Sequence, residues 1–250
     1  MRHIRFFFAL AALLLAACAQ QPPVPPLNLG GPLADVSARF VTERFHAGDA
    51  QEEHDGHAHD KASHPEGTAR SEWQFWRTAN RIEMNIPARQ TGEVWLRDGN
   101  AIFHQKLFHA DRKIVEYQSA DLDALNVPVQ WRTNELMIDP QVLQQLRVDE
   151  ERWSDGHPAL QLSGTVDGID YEVTWLVDLN LPQQLSKQDA DGNRETTRLL
   201  SAELAAQAGA QQPDSSQYEI IDYADLGDRE RDPFVIAIQN QLPGGHVHTH

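Results

Sequence analysis

From Ser71 onward, apolar and polar positions alternate with a period of two over most of the chain. Trp73 and Phe75 flank Gln74, and Ile82, Met84 and Ile86 occupy every second position until Pro87 ends the run. Val94 and Leu96 follow around Trp95 up to the turn Asp98-Gly99, and Ala101 to Phe108 and Lys113 to Gln118 flank a turn at His109-Ala110-Asp111-Arg112. Successive side chains of a strand point to opposite faces, so this period predicts half-buried strands. Alternating runs broken by Asp-Gly dipeptides predict hairpins. The pattern resumes at Ala159 to Val166, turns at Asp167-Gly168 and returns over Ile169 to Leu176. Gln184 to Lys187 and Thr196 to Leu204 are expected to pair around Asp189 to Asn193, and Tyr218 to Tyr223 reads as a last strand.

Helical signals are short. Ser119 to Leu125 reads as a capped helix. Asp139-Pro140, followed by Val142, Leu143 and Leu146, places Asp at the N-cap and Pro at the first helical position. Asp232-Pro233 opens an apolar segment over Phe234 to Ile238, and Leu33 to Phe45 fits either a helix or a helix running into a strand at Arg39. The expected fold is mainly β (α+β): a curved antiparallel sheet or half-open β-barrel with a few short helices, forming one domain over residues 33–242.

Three stretches fall outside the pattern. Gln20 to Pro32 carries Pro22, Pro23, Pro25, Pro26 and Pro32. It reads as part of a tether over residues 18–32 that extends at ~3.1 Å per residue and stands the domain off a surface. Residues 46–70 contain almost no apolar side chain larger than Ala, so burial cannot offset their ordering entropy, and they read as a disordered acidic, His-rich loop. Residues 243–250 form a His-bearing tail.

The N-terminus has Arg2 and Arg5, an apolar run from Phe6 to Leu15, and then small residues. That is the layout of a secretory signal over residues 1–17, and it is shorter than the ~20 residues of a membrane-spanning helix. Leu15-Ala16-Ala17-Cys18 resembles the lipobox of bacterial lipoproteins. The resemblance implies cleavage before Cys18 and lipidation of that residue. With Ala19 rather than Asp next to the Cys, it also implies attachment at the periplasmic face of the outer membrane. Several acyl chains, at ~0.8 kcal/mol per buried methylene, make such an anchor effectively permanent.

Within the domain, Trp76-Arg77-Thr78-Ala79-Asn80-Arg81-Ile82-Glu83, Gly92-Glu93-Val94-Trp95-Leu96-Arg97-Asp98-Gly99 and Val115-Glu116-Tyr117 are similar to stretches of the LolA/LolB/RseB type of periplasmic protein. The likeness spans residues 33–205. It implies a curved sheet whose apolar concave face can hold acyl chains. The loop at 46–70 and the tail depart from that pattern.

Composition narrows the chemistry. Cys18 is the only cysteine, so the domain has no disulfide and no thiol chemistry. The net charge of −16 becomes −18 once Arg2 and Arg5 leave with the signal, which excludes nucleic acid as a partner because phosphate backbones are bound by Lys and Arg. The sequence contains no Gly-x-Ser-x-Gly elbow, His-Glu-x-x-His, phosphate loop or dinucleotide fingerprint, and the expectation is a protein that is not an enzyme. Asp189 to Glu195 fails as a calcium loop, since its Gly stands at position 4 and Leu200 takes the place of the bidentate Glu.

Histidines are concentrated where the fold pattern is absent. His54, His57, His59 and His64 lie in the loop, and His246, His248 and His250 in the tail. Imidazole suits zinc, copper and nickel, and rings two residues apart on an extended chain face one way. The first functional expectation is therefore a non-catalytic metal-binding lipoprotein, with no metal required for catalysis. The second is a carrier or sensor of lipid or another apolar ligand on the concave face, with Trp73, Trp76 and Trp95 as candidate contacts. The third is a scaffold that partners an envelope protein complex. An open apolar cavity lined by tryptophans favours the second; a filled interior on which the His segments converge favours the first. His104 and His109 have opposite strand parity, and both read as surface or hydrogen-bonded structural residues.

Overall fold

In a computed structural model, residues 21–47, 68–204 and 214–242 are described. Their strands are β1 (Val36–Phe45), β2 (Thr68–Thr78), β3 (Arg81–Ile86), β4 (Thr91–Asp98), β5 (Ala101–Phe108), β6 (Lys113–Tyr117), β7 (Arg147–Ser154), β8 (His157–Val166), β9 (Ile169–Leu176), β10 (Leu181–Gln188), β11 (Arg194–Leu204) and β12 (Glu219–Asp222). They form one curved sheet in the order β12-β6-β5-β4-β3-β2-β1-β11-β10-β9-β8-β7, and its two edges do not close. Every pairing is antiparallel except β12 with β6. The mainly β, open-sheet expectation holds.

The hairpins form where the Asp-Gly turns stand. Asp167 and Gly168 both have positive φ, as the tight turn matching strand twist requires. Asp155 and Gly156 do the same between β7 and β8. Alternation did not reveal β7, because Arg147–Ser154 is an edge strand exposed along nearly its whole length and has no apolar face. Its Asp149, Glu150, Glu151 and Arg152 guard the edge against pairing with another chain. At the calcium-like stretch, Asp189 Oδ1 accepts the N–H groups of Asp191 (2.9 Å) and Asn193 (3.0 Å), which makes it a hairpin turn.

Short helices cover one face of the sheet, here the inner face. They are α1 (Ser119–Ala124), α2 (Trp131–Leu136), α3 (Pro140–Gln145) and α4 (Pro233–Ile238). As the sequence indicated, Asp139 caps α3, accepting from Gln141 N at 2.7 Å; the apolar segment opened by Asp232-Pro233 is the helix α4, where Asp232 likewise accepts from Phe234 N at 2.9 Å. The helix considered for Leu33 to Phe45 does not form; β-branched and aromatic side chains along β1 pair with β2 and β11 instead. The cap of α1 also differs, because Ser119 Oγ donates to Ile102 O (2.8 Å) and ties the helix to β5. Helix α2 was not anticipated.

Two apolar clusters fill the inner face. The first joins Val36, Phe40, Phe75, Ile82, Trp95, Phe108 and Tyr117 to Phe234, Val235 and Ile238 of α4. The second joins Leu160, Leu162, Val173, Trp175 and Leu185 to Leu136 and Leu143 of the helices and to Leu29, with Val24, Leu27 and Leu33 packed alongside. The proline-rich segment is thus docked on the domain from Pro22 onward instead of extended away from it. Trp153 Nε1 donates to Pro22 O (2.8 Å), and Arg132 Nε donates to Leu29 O (3.0 Å). Its apolar side chains, read as tether, bury against the sheet.

Arg77 holds the seam between the clusters. Its side chain is 1 % exposed and donates to four backbone carbonyls. Nη1 reaches Glu135 O (2.6 Å) and Asn180 O (3.2 Å), Nη2 reaches Leu179 O (2.7 Å) and Ala34 O (3.1 Å), and Nε also reaches Ala34 O (3.3 Å). Burial pulls the guanidinium down to about 10, with Glu135 opposing the shift, so it stays charged at neutral pH.

Candidate functional site

The inner face is covered at both ends and open in the middle. Toward β6 it lies under α1 and α4; toward β8 it lies under α2, α3 and the N-terminal segment. Between them is a cavity of about 840 Å³, lined from β1 to β5, β10 and β11 and roofed by Thr133, Asn134, Met137 and Gln241. Strand register explains the lining. Ser71 and Trp73 of β2 stand opposite Thr42 and Phe40 of β1, Met84 opposite Glu93, Glu93 opposite Lys106, and Leu185 opposite Thr197, all on one face.

Trp73, Met84, Ile86, Met137 and Leu185 supply the apolar lining. Trp73 is fixed on two sides: its ring stacks on Phe40 at 4.8 Å and its Nε1 donates to Thr42 Oγ1 at 2.9 Å. Thr42 Oγ1 in turn lies 2.8 Å from Thr197 Oγ1. A rigid aromatic with its polar atom satisfied is a preorganised surface for an apolar ligand.

The six charged lining groups are Arg44, Arg89, Glu93, Lys106, Lys187 and Glu195. Arg44 pairs with Glu195 at 2.6 Å, and Lys187 reaches the same carboxylate at 4.0 Å. Lys106 lies 3.7 Å from Glu93 and donates to Gln241 O at 2.6 Å. The His104 ring, followed by Lys106, holds the Glu93 carboxyl below its ordinary value against the opposing effect of burial.

The anticipated ligand-contact residues separate. Trp73 lines the cavity. Trp95 is on the inner face but lies behind the lining, stacked at 4.3 Å on His104. Trp76 points to the outer face and is 2 % exposed, so it is not a contact: three positions from Trp73 on an unbulged strand means the opposite side. The cationic residues of the rim carry no pattern in the sequence and were missed: Lys187 ends an alternating strand, and Arg89 lies in the short turn after β3. Met84, Ile86 and Leu185 could have been found by extending the parity of Trp73 across the hairpins.

His104 and His109 occupy different faces, as expected, and of the two only His104 departs from the reading as a surface or hydrogen-bonded residue; His109 fits it, as does His157, whose Nδ1 lies 2.8 Å from Asp178 Oδ2. His104 is 4 % exposed, stacked between Trp95 and Tyr117, and neither ring nitrogen has a hydrogen-bond partner among the described residues. Its nearest charged neighbour is Glu93 at 3.7 Å. His109 belongs to a chain on the outer face. Asn85 Nδ2 donates to Gln74 (2.9 Å), His109 Nε2 donates to Asn85 Oδ1 (2.8 Å), and Tyr218 OH donates to His109 Nδ1 (3.1 Å). Burial pushes the His109 pKa down, keeping the neutral ring this pattern needs.

Gly92 makes room for that ring. An added Cβ would lie 3.1 Å from Met84 O and 3.3 Å from His109 Nε2. Gly92→Ala is expected to cost ~1–3 kcal/mol by overpacking, read as a lower urea midpoint with unchanged slope. A midpoint equal to that of the parent would show that the strand yields freely there.

Cys18 and the proposed metal ligands His54, His57, His59, His64, His246, His248 and His250 lie outside the described residues. Among the described residues no group of three or more His, Cys, Asp or Glu side chains is placed to hold a metal ion.

No family model matches the chain, and no curated protein matches it. Solved structures do. A structure of PNGF-II is 10 % identical, with a TM-score of 0.38, over 80 % of this chain and 34 % of the other, so this chain spans about a third of that protein's length. The complex of Pseudomonas aeruginosa MucA and MucB is 17 % identical, with a TM-score of 0.38, over 75 % of this chain and 58 % of the other. An uncharacterized conserved protein from Thermus thermophilus is 10 % identical, with a TM-score of 0.39, over 76 % of this chain and 90 % of the other. The chain is therefore similar, at low identity, to structures that include the RseB-type protein MucB.

Proposed function

We propose that this chain is a non-catalytic envelope protein that holds an apolar or amphiphilic ligand in the cavity of its inner sheet face. The supporting observation is the cavity itself. About 840 Å³ lies within the ~300–1,000 Å³ range of small-molecule sites, and its mouth opens between two covered ends of the sheet. The proposal keeps the anchor expected at Cys18 and the periplasmic face of the outer membrane as its setting.

The test is binding of the neutral fluorescent probe N-phenyl-1-naphthylamine to the purified protein. The expected result is saturable binding with a Kd on the order of 1–10 μM, about −7 to −8 kcal/mol. Fluorescence that rises without saturating, or not at all, would contradict the reading. A scaffold role in an envelope complex would then be the reading to pursue.

Metal capture remains a second proposal, with one point in its favour. Arg44 and Ser71, near the two ends of the segment 48–67, and Gln241, just before the tail, all line the same cavity. Both histidine-bearing segments therefore start from one place. Zinc and copper titrations of the protein, with and without residues 46–66 and with the tail removed, test this. The expected result is a clear loss of affinity on deletion; unchanged affinity would end the idea.

A further inference from the structure

The cavity's charge runs against that of the whole molecule. The chain carries 37 acidic and 21 basic residues, yet the cavity is lined by four cations and two carboxylates. We infer that the site takes a single-chain amphiphile with an anionic head, seated by Arg89 and Lys187 at the rim with its chain on Trp73, Met84 and Leu185. This rests on the binding role proposed above and specifies the ligand.

The pairing pattern identifies which cations are available. Glu195 is held by Arg44 at 2.6 Å, leaving Lys187 at 4.0 Å as a second and weaker partner. Glu93 is shared between Lys106 and His104, each at 3.7 Å. Arg89 has no ion-pair partner among the described residues, and its side chain is exposed at the cavity edge. Two carboxylates thus satisfy two of the four cations, and the remaining positive charge sits at Arg89 and Lys187. An anionic head would complete it with charge-assisted hydrogen bonds.

The residues are also layered as such a ligand requires. On β10, Leu185 and Lys187 share a face, with the lysine one step nearer the strand end. Arg44, Glu195 and Lys187 form one row across the sheet; Thr42, Thr197 and Leu185 form the next row inward. On the opposite wall, Ile86 ends β3, and Arg89 follows in the short 3-10 turn Pro87–Arg89, which is fixed by the proline and by Gln90 N–H donating to Pro87 O at 3.1 Å. On the wall of β1, β10 and β11 charge lies outside the row of Leu185; on the opposite wall Arg89 lies outside Ile86, and the only charge further in is the Glu93–Lys106 pair in the Met84 row, whose charges cancel. The apolar part is small, five side chains against seven uncharged polar ones, counting Thr42, Ser71, Thr91, Thr133, Asn134, Thr197 and Gln241. One chain can be desolvated on it. Several chains side by side would meet hydroxyls and amides, which is costly without hydrogen-bond partners.

Displacement of N-phenyl-1-naphthylamine from the purified protein by dodecanoate, dodecyl phosphate, dodecanol and dodecylammonium, all as monomers, tests this. The anions are expected to displace the probe at concentrations at least ~10-fold lower than dodecylammonium, and this advantage should shrink in high salt. If the two anions are equal, the head is read as charge; if one leads, its chemistry names the source. Arg89→Glu/Lys187→Glu should weaken both anions by about 10-fold or more while dodecanol stays within about twofold, which also shows that the fold is intact. Dodecanol matching dodecanoate, the double variant leaving the anions unchanged, or an uncharged three-chain lipopeptide binding more tightly than dodecanoate would each overturn the inference and leave the apolar site standing. Displacement by none of these ligands would overturn the inference and, if the probe itself does not saturate, the proposed function as well.

Discussion

Arg77→Met is expected to lower the melting temperature by roughly 10 °C or more. The buried guanidinium donates to the carbonyls of Ala34, Glu135, Leu179 and Asn180, which come from the N-terminal segment, α2 and the turn between β9 and β10. Methionine fills a similar volume but donates nothing. A buried acceptor left without a partner costs ~1–3 kcal/mol, so even partial rescue by water leaves a loss of about 4 kcal/mol. For a domain of this size each kcal/mol is worth ~2–4 °C. Arg77→Lys should recover only part of this, because an ammonium offers three donors and no planar fork. Thermal unfolding followed by circular dichroism measures both variants. A methionine variant within about 2 °C of the parent would show that the carbonyls are satisfied without Arg77, and that the two clusters are not joined through it.

Trp73→Ala is expected to weaken N-phenyl-1-naphthylamine binding by about 10-fold or more. The indole is the largest apolar surface of the cavity, held by Phe40 and Thr42, and removing an aromatic contact of this kind costs upwards of ~1.4 kcal/mol of binding free energy. The stability cost is separate and is read in the same preparation by urea unfolding. Trp76→Phe is the control. That side chain lies on the outer face, so affinity should stay within about twofold although some stability is lost. Equal losses in the two variants would mean that tryptophan removal loosens the fold, and that the cavity is not where the probe sits.

Much of the sheet was legible because its physics is local. Period two at Ile82, Met84 and Ile86, and Asp-Gly turns with positive φ at Asp167 and Gly168, specify strand and hairpin within a few residues. The misses have non-local causes. Edge strand β7 has no buried side to imprint a pattern, and only Asp155-Gly156 marked it. The segment from Gln21 to Pro32 looked like a tether because prolines dominate it; Val24, Leu27 and Leu29 find their apolar partners more than a hundred residues away, on the helices and on β8 to β10. The site was legible by half. Trp73 stands out by size and parity, but Arg89 and Lys187 are ordinary surface residues until the sheet curves and sets them on one rim. The histidine-rich tracts drew the first functional expectation, yet the described residues place a cavity where that expectation had no feature.

The most direct test uses the methionines. The chain has three, and two of them, Met84 and Met137, line the cavity from opposite sides, one on β3 and one after α2. With methionine methyl groups labelled with carbon-13, addition of N-phenyl-1-naphthylamine should shift the Met84 and Met137 signals together, in fast or slow exchange, along the same saturation curve as the fluorescence. A probe that saturates by fluorescence while both signals stay in place would put the ligand elsewhere and contradict the assignment of this cavity.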